Sequence, residues 1–302
     1  MPTRGALLCL ASGVAFGAMA IFGKLAYEEG VTVGTLLAVR FALAAVLFWA
    51  LVARSSGGLA RVRAISRGDV LIAFALGAVG YSAQAGAYFA ALRRLDASLL
   101  SLLLYTFPAI VTVAAIALGR ERVSRRTTAA LLLASAGLVL VLALPGTGPL
   151  DPLGTALALT AAVVYSTYLL TSEGVVGRVG PLTLSALVCT GAAATLTLVG
   201  FTGGDLDLGR VSLAGYGWLA AIAVVSTVGA VGLLFAGIRR VGPTAASILS
   251  TTEPLVTVLL AFLAFGESLG PVQLVGGALV LAAAAVLSAR SRAPVVEASW
   301  DG

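Results

Sequence analysis

Glu253, Arg40 and Lys24 are ionisable residues set within long apolar runs of the chain. On insertion scales a charge at the centre of a bilayer costs about 2.5–3.5 kcal/mol, so each needs a reason to be there. Glu253 falls about nine residues into its run, roughly 14 Å along a helix. Pro254 follows, and a proline frees the carbonyl four residues back, so the helix can bend there. A carboxyl group beside a kink can take up and release a proton; alternatively it stays hydrogen-bonded and ties two helices together. Arg40 falls about seven residues, roughly 10 Å, into its run. Its guanidinium can grip a substrate carboxylate with two parallel bonds. The alternatives are an ion pair with Glu28 or Glu29, or snorkelling to the headgroups. Lys24, at the end of the first run, reads as an interfacial anchor, with cavity lining as the other possibility.

Hydroxyls and tyrosines recur at helical spacing. Tyr81, Gln84 and Tyr88 share one face, and Tyr165, Tyr168 and Ser172 repeat that spacing. Ser98, Ser101 and Tyr105 form a third set; Thr244, Ser247 and Thr251 form a fourth. Steps of three and four residues place side chains on one face of a helix. Polar faces avoid lipid, so these four are expected to point inward and make a cavity with aromatic walls. The bland alternative is helix–helix hydrogen bonding, worth about 0.6–2 kcal/mol per contact. Gly13 and Gly17, four apart, read as a close-packing face, while a hinge role for Gly80 or Gly229 is not readable from the sequence. Trp49 and Trp218 read as interfacial belt residues.

The elements that must position these residues follow from composition. Of 302 residues, 60% are hydrophobic and 11% charged, and the mean hydropathy is +1.06. Soluble domains run near 45–50% apolar and about 25% charged, so a soluble fold is excluded. A spanning helix needs about 20 apolar residues, and ten such runs are readable, near 5–27, 33–53, 70–91, 97–118, 127–145, 153–172, 181–201, 213–238, 244–265 and 271–289. The first is too long for a signal-peptide core. The net charge of +6 sits in short loops, not in a basic stripe, which excludes a nucleic-acid partner. Cys9 and Cys189 lie in apolar runs and histidine is absent, so neither a disulfide framework nor a metal site is expected. Without a phosphate-binding loop or catalytic cluster, the chain reads as no enzyme and no ATP-driven pump, with no cofactor.

Lys and Arg set the orientation. Arg54, Arg61, Arg63 and Arg67, the cluster Arg120 to Arg126, Arg239 and Arg240 fall on one side. Arg93, Arg94 and Arg210 fall on the other. Both termini are therefore expected in the cytoplasm, and 290–302 as a disordered cytoplasmic tail. The single Lys against eighteen Arg suggests a high-GC bacterium, hence a cytoplasmic (inner) membrane.

A shift of 146 residues brings Arg93 onto Arg239, Arg94 onto Arg240, Ser101 onto Ser247, Pro108 onto Pro254 and Glu121 onto Glu267, with no gap. The expected fold is thus an all-α polytopic membrane protein of ten transmembrane helices. Residues 1–289 make one transporter domain, with repeats 1–146 and 147–289. Five spans per half is an odd number, so the repeats are inverted, a construction used by secondary transporters. Pro108 and Pro254 are the expected hinges.

Tyr105-Thr106-Phe107-Pro108 leading to Gly119-Arg120-Glu121, and Thr252-Glu253-Pro254 leading to Phe265-Gly266-Glu267, resemble the paired signature of the EamA family of the drug/metabolite transporter superfamily. Arg40-Phe41 and Gly23-Lys24 also match its pattern. The resemblance covers about 1–289 and implies ten helices and transport of small metabolites, often export of amino acids or related compounds. Many members carry a tryptophan midway along the first helix; here Phe16 stands in that region. The expectation is a secondary transporter working by alternating access, with a small-molecule substrate, a lipid bilayer and protons as coupling ion. The expected binding residues are Phe16, Arg40, Tyr81, Gln84, Tyr88, Ser101, Tyr105, Tyr165, Tyr168, Ser247, Thr251 and Glu253. A passive channel and an intramembrane enzyme or assembly factor are the rival readings.

Overall fold

The computed structural model describes residues 2–55, 57–120, 122–143 and 151–288. Among them nine helices are long and apolar enough to cross a membrane, and a tenth apolar helix is shorter. We number the spans α1 (Pro2–Glu28), α2 (Val33–Arg54), α3 (Arg67–Leu92), α4 (Ala97–Ala117) and α5 (Arg125–Ala143) in the first half. The second half holds α6 (Pro152–Val179), α7 (Pro181–Thr202), α8 (Leu213–Gly242), α9 (Ala245–Phe265) and α10 (Pro271–Ser288). The end of the fifth expected span, Glu121 and the expected tail 290–302 lie outside the described residues.

Capping residues start several spans. The Ser66 hydroxyl accepts from the Asp69 N–H at the head of α3, and Ser212 accepts from the Gly215 N–H at the head of α8. These two caps are 146 residues apart, so the repeat extends to the helix starts. Such caps supply an acceptor to a helix N–H that has no partner within the helix. α6 is longer than the sequence suggests. Ser172-Glu173-Gly174 reads as an exit from the membrane, yet the helix continues to Val179 and stops at Gly180, whose φ is 82°. Arg178 in that extra turn pairs with Asp69 at 2.8 Å.

Contacts between span ends fix the topology. Asp205, after α7, accepts from the Gly34 N–H at the start of α2 at 2.7 Å. Arg94, after α3, meets Asp151, before α6, at 3.2 Å. The Arg178–Asp69 pair lies at the other end of the bundle, where α1 begins and α10 finishes; we call this the terminal face and its opposite the far face.

The halves interlock. α2 packs mainly on α7, and α5 mainly on α10. α1 packs on α8 and α9, while α6 packs on α3 and α4. Exchanging the numbers of the two halves maps α2–α7 and α5–α10 onto themselves and the contacts of α1 onto those of α6, as a pseudo-two-fold axis requires. With five spans per half, that axis relates inverted repeats.

Two symmetric irregularities shape the interior. α3 widens into a π-turn at Leu76–Tyr81 and α8 into another at Val224–Gly229, which take in Gly80 and Gly229. Each leaves a carbonyl to a hydroxyl five residues on: Ser82 donates to the Gly77 carbonyl and Thr227 to that of Ile222, both at 2.9 Å. Such turns collect at functional sites. α4 and α9 are broken. α4 consists of Ala97–Leu104 and Phe107–Ala117. α9 changes course at Thr251, just before Thr252–Phe265. Both breaks lie just before Pro108 and Pro254, where the proline removes a helix hydrogen bond.

Candidate substrate cavity

A cavity of about 320 Å³ lies between the halves, inside the common range of small-molecule sites. Its lining includes Phe16, Arg40, Tyr81, Gln84, Tyr88, Tyr105, Pro108, Tyr165, Ser247, Thr251 and Glu253. Two of the expected residues stand elsewhere. Ser101 is buried in the helix contact, its hydroxyl donating to the Ser98 carbonyl. Tyr168 forms a second layer, its ring 5.3 Å from that of Tyr81 and 6.3 Å from that of Tyr165. Pro254 is buried outside the lining, and the Thr244 side chain lies outside the described residues.

Glu253 owes its place to the break in α9 and to close packing on α1. Gly13 and Gly17 face Thr252 and Glu253, and a Cβ on Gly17 would come within 2.8 Å of the Glu253 carbonyl oxygen. The Thr257 hydroxyl ties the same two helices, donating to the Gly17 carbonyl at 3.1 Å. Pro254 leaves the Ser250 carbonyl without its helical donor. The Tyr105 hydroxyl donates to that carbonyl at 2.6 Å and lies 3.2 Å from Glu253 Oε2.

Arg40 is 2% exposed. It pairs with neither Glu28 nor Glu29; its Nε donates to Thr227 Oγ1 at 3.0 Å. The expected ion pair fails because Arg40 sits too deep along α2, and Glu29 instead accepts from the Ser212 hydroxyl. The guanidinium lies 4.8 Å from the Phe41 ring centre and 5.4 Å from that of Phe89. The Tyr81 hydroxyl stands beside it. Arg40 and Glu253 are the cavity's two charged lining residues, and they form no ion pair with each other or with another described residue.

Aromatic rings join the two charges. From Phe41 the edge-to-face contacts run through Tyr81, Tyr168, Tyr165 and Phe107 to Tyr105, with one stacked step between Tyr168 and Tyr165. Thr227, Phe107 and Phe89 were not readable as site residues from spacing. For Thr227 the one available signal was its place in the α8 segment matching Tyr81 in the repeat.

Spans α8 and α9 contribute Leu234, Ile238, Ala246 and Ser247 to the lining, and these lie toward the terminal face. The far end is closed by Phe89 and Leu92. A Cβ on Gly23 would lie 2.9 Å from Phe89 and 2.8 Å from Leu92. Beyond them Lys24 meets Glu267 at 2.5 Å. Lys24 is thus an internal ion-pair partner, not an interfacial anchor. Trp49 is likewise an internal tie, donating to Thr190 Oγ1 at 2.9 Å, and Trp218 stacks on Phe22.

Inverted five-helix repeats around one central cavity define a membrane transporter. The model of the EamA-like transporter family matches residues 3–143 and 152–289, one stretch per half, and the chain belongs to that family. It is 28% identical over 280 residues to the "Uncharacterized transporter YcbK" of Bacillus subtilis (strain 168), covering 90% of this chain and 88% of that protein. It is 30% identical over 198 residues to an "Uncharacterized transporter" of Archaeoglobus fulgidus, covering 65% of this chain and 68% of the other. A solved crystal structure with 20% identity matches with a TM-score of 0.62, over 94% of this chain and 96% of that one, and so shares its fold.

Proposed function

We propose that this chain is a secondary transporter of an amino acid or related zwitterion, working by alternating access across the cytoplasmic membrane. Export is the direction the family resemblance favours. Residues 1–289 form the transporter domain. The density of arginine at the terminal face, led by Arg54, Arg61, Arg63 and Arg67, supports a cytoplasmic location for both termini.

The observation that carries the proposal is a pair of unpaired opposite charges, Arg40 and Glu253, in one aromatic cavity. Charges withdrawn from water are costly unless a partner offsets them. A zwitterion supplies both partners: its carboxylate meets Arg40 and its ammonium meets Glu253. Tyr81, Tyr88, Tyr105, Tyr165 and Phe16 receive the side chain, while Gln84, Ser247 and Thr251 offer hydrogen bonds. Glu253 is the lining's single carboxylate, so ammonium and proton compete for it. That competition gives a physical basis for proton-coupled exchange. A cavity whose far end is packed shut by Phe89 and Leu92 supports a carrier over a channel.

The test is uptake and counterflow of labelled amino acids into liposomes holding the purified protein. Saturable flux stimulated by substrate on the opposite side is expected. Glu253→Gln should abolish its pH dependence. Non-saturating flux would leave the channel reading in place, and chemical turnover of the substrate would favour an enzyme.

A further inference from the structure

Glu267 is a carboxylate that the proposed substrate site does not use, and it is 8% exposed. It follows α9 at the far face. Its Oε1 meets Lys24 Nζ of α1 at 2.5 Å. Its Oε2 accepts from the Ser98 backbone N–H at 3.1 Å and from the Ser98 hydroxyl at 3.2 Å, in the first turn of α4. Lys24 also stands 4.0 Å from Asp96 and over the Phe265 ring. One carboxylate therefore joins α1, α4 and α9, three spans that line the cavity. Below it, the Gly23–Phe89–Leu92 contact closes the cavity floor.

The repeat makes this arrangement one-sided. A shift of 146 carries Glu267 onto Glu121, Ser98 onto Thr244 and Asp96 onto Gly242. The helices α2 and α7, which begin at Val33 and Pro181, are offset by 148, and at that shift Lys24 falls on Ser172. The cation that completes the cluster has no counterpart in the other half.

We infer that Lys24, Glu267 and the head of α4 form a latch that holds the far face shut and must part before the cavity opens to that side. This inference rests on the alternating-access reading above. The ion pair is largely withdrawn from water, and removing one partner of such a pair strands the other. Breaking it shifts the population toward the far-open state, because the closed state alone contains the contact.

The test is the rate at which a membrane-impermeant thiol reagent, applied from the far side, modifies Ala85→Cys in the cavity wall. The full chain is used in liposomes, with Cys9 and Cys189 replaced by alanine. Glu267→Gln is expected to label about tenfold faster than the parent, and Lys24→Met severalfold faster, because it keeps the Ser98 contact. Lys24→Met also covers the case in which Glu267→Gln does not fold. Equal rates in parent and folded variants would overturn the latch. If the parent still labels from the far side on adding saturating substrate, that result leaves alternating access standing. Rapid labelling of the parent from both faces without substrate would instead overturn the alternating-access reading itself.

Discussion

The Tyr105 hydroxyl donates to the Ser250 carbonyl, the acceptor that Pro254 strips of its helical partner. Through the same oxygen it reaches Glu253. One phenol thus couples the break in α4 to the break in α9. Tyr105→Phe keeps the ring packed on Phe107 but strands a carbonyl. An unsatisfied buried polar group costs about 1–3 kcal/mol, so the thermal midpoint in detergent should fall. Saturable transport should weaken as well, since the Glu253 carboxyl loses the phenol oxygen that stands 3.2 Å from it. An unchanged midpoint would mean that water takes the place of the phenol.

Thr227 holds Arg40 through Nε at 3.0 Å, and on the proposed reading the rest of the guanidinium meets the substrate carboxylate. Thr227→Val should raise KM for a zwitterion about tenfold with little change in the maximal rate, since about 1.4 kcal/mol is a tenfold effect. An amine that lacks a carboxylate should be affected far less. Arg40→Lys should hurt more, because an ammonium offers neither the fork nor the stacking on Phe41 and Phe89. Competition of the two substrate classes against a labelled amino acid checks both.

Gly17 admits α9 at the level of Glu253. Gly17→Leu must push the two helices apart, since even a Cβ stands 2.8 Å from the Glu253 carbonyl oxygen. Overpacking of this kind costs about 1–3 kcal/mol. Transport should be lost while the protein still inserts in the membrane, which protease protection of the loops would verify.

Asp151 caps α6 at the far face. The Gly154 N–H, and secondarily Arg94, hold its carboxyl below the usual carboxylate range. A depressed folded value means stabilisation present at neutral pH and lost as pH falls through that value. Asp151→Ala should therefore lower the thermal midpoint at pH 7, and the gap between variant and parent should narrow on acidification. A gap that stays constant with pH would assign the effect to packing alone.

The spans were legible because a bilayer demands long apolar runs, and the inversion was legible because Arg93-Arg94 and Arg239-Arg240 recur at a fixed shift. Most of the cavity lining was legible too, since tyrosines and hydroxyls on apolar helices must face inward. The π-turns were not. Leu76–Tyr81 and Val224–Gly229 carry no proline and no charge, and the hydroxyls that take the freed carbonyls, Ser82 and Thr227, interrupt no helical pattern. The role of Glu267 was hidden for another reason. Two residues past a span it resembles a loop charge, and its partners stand 243 and 169 residues earlier in the chain. Ser101 was misplaced because spacing assigns a face but not the neighbour that face meets.

The interlocking of the halves bears on how the chain is made. α1 is synthesised first, yet α8 and α9, its main neighbours, come near the end. Until then Ser12 lacks the Ala230 carbonyl, Arg40 lacks Thr227 and Lys24 lacks Glu267. The nascent first half must hold these polar groups at the insertion machinery or against one another. Its assembly is therefore completed by the last spans to emerge, and truncation after α7 should yield a protein that inserts but is cleared by quality control.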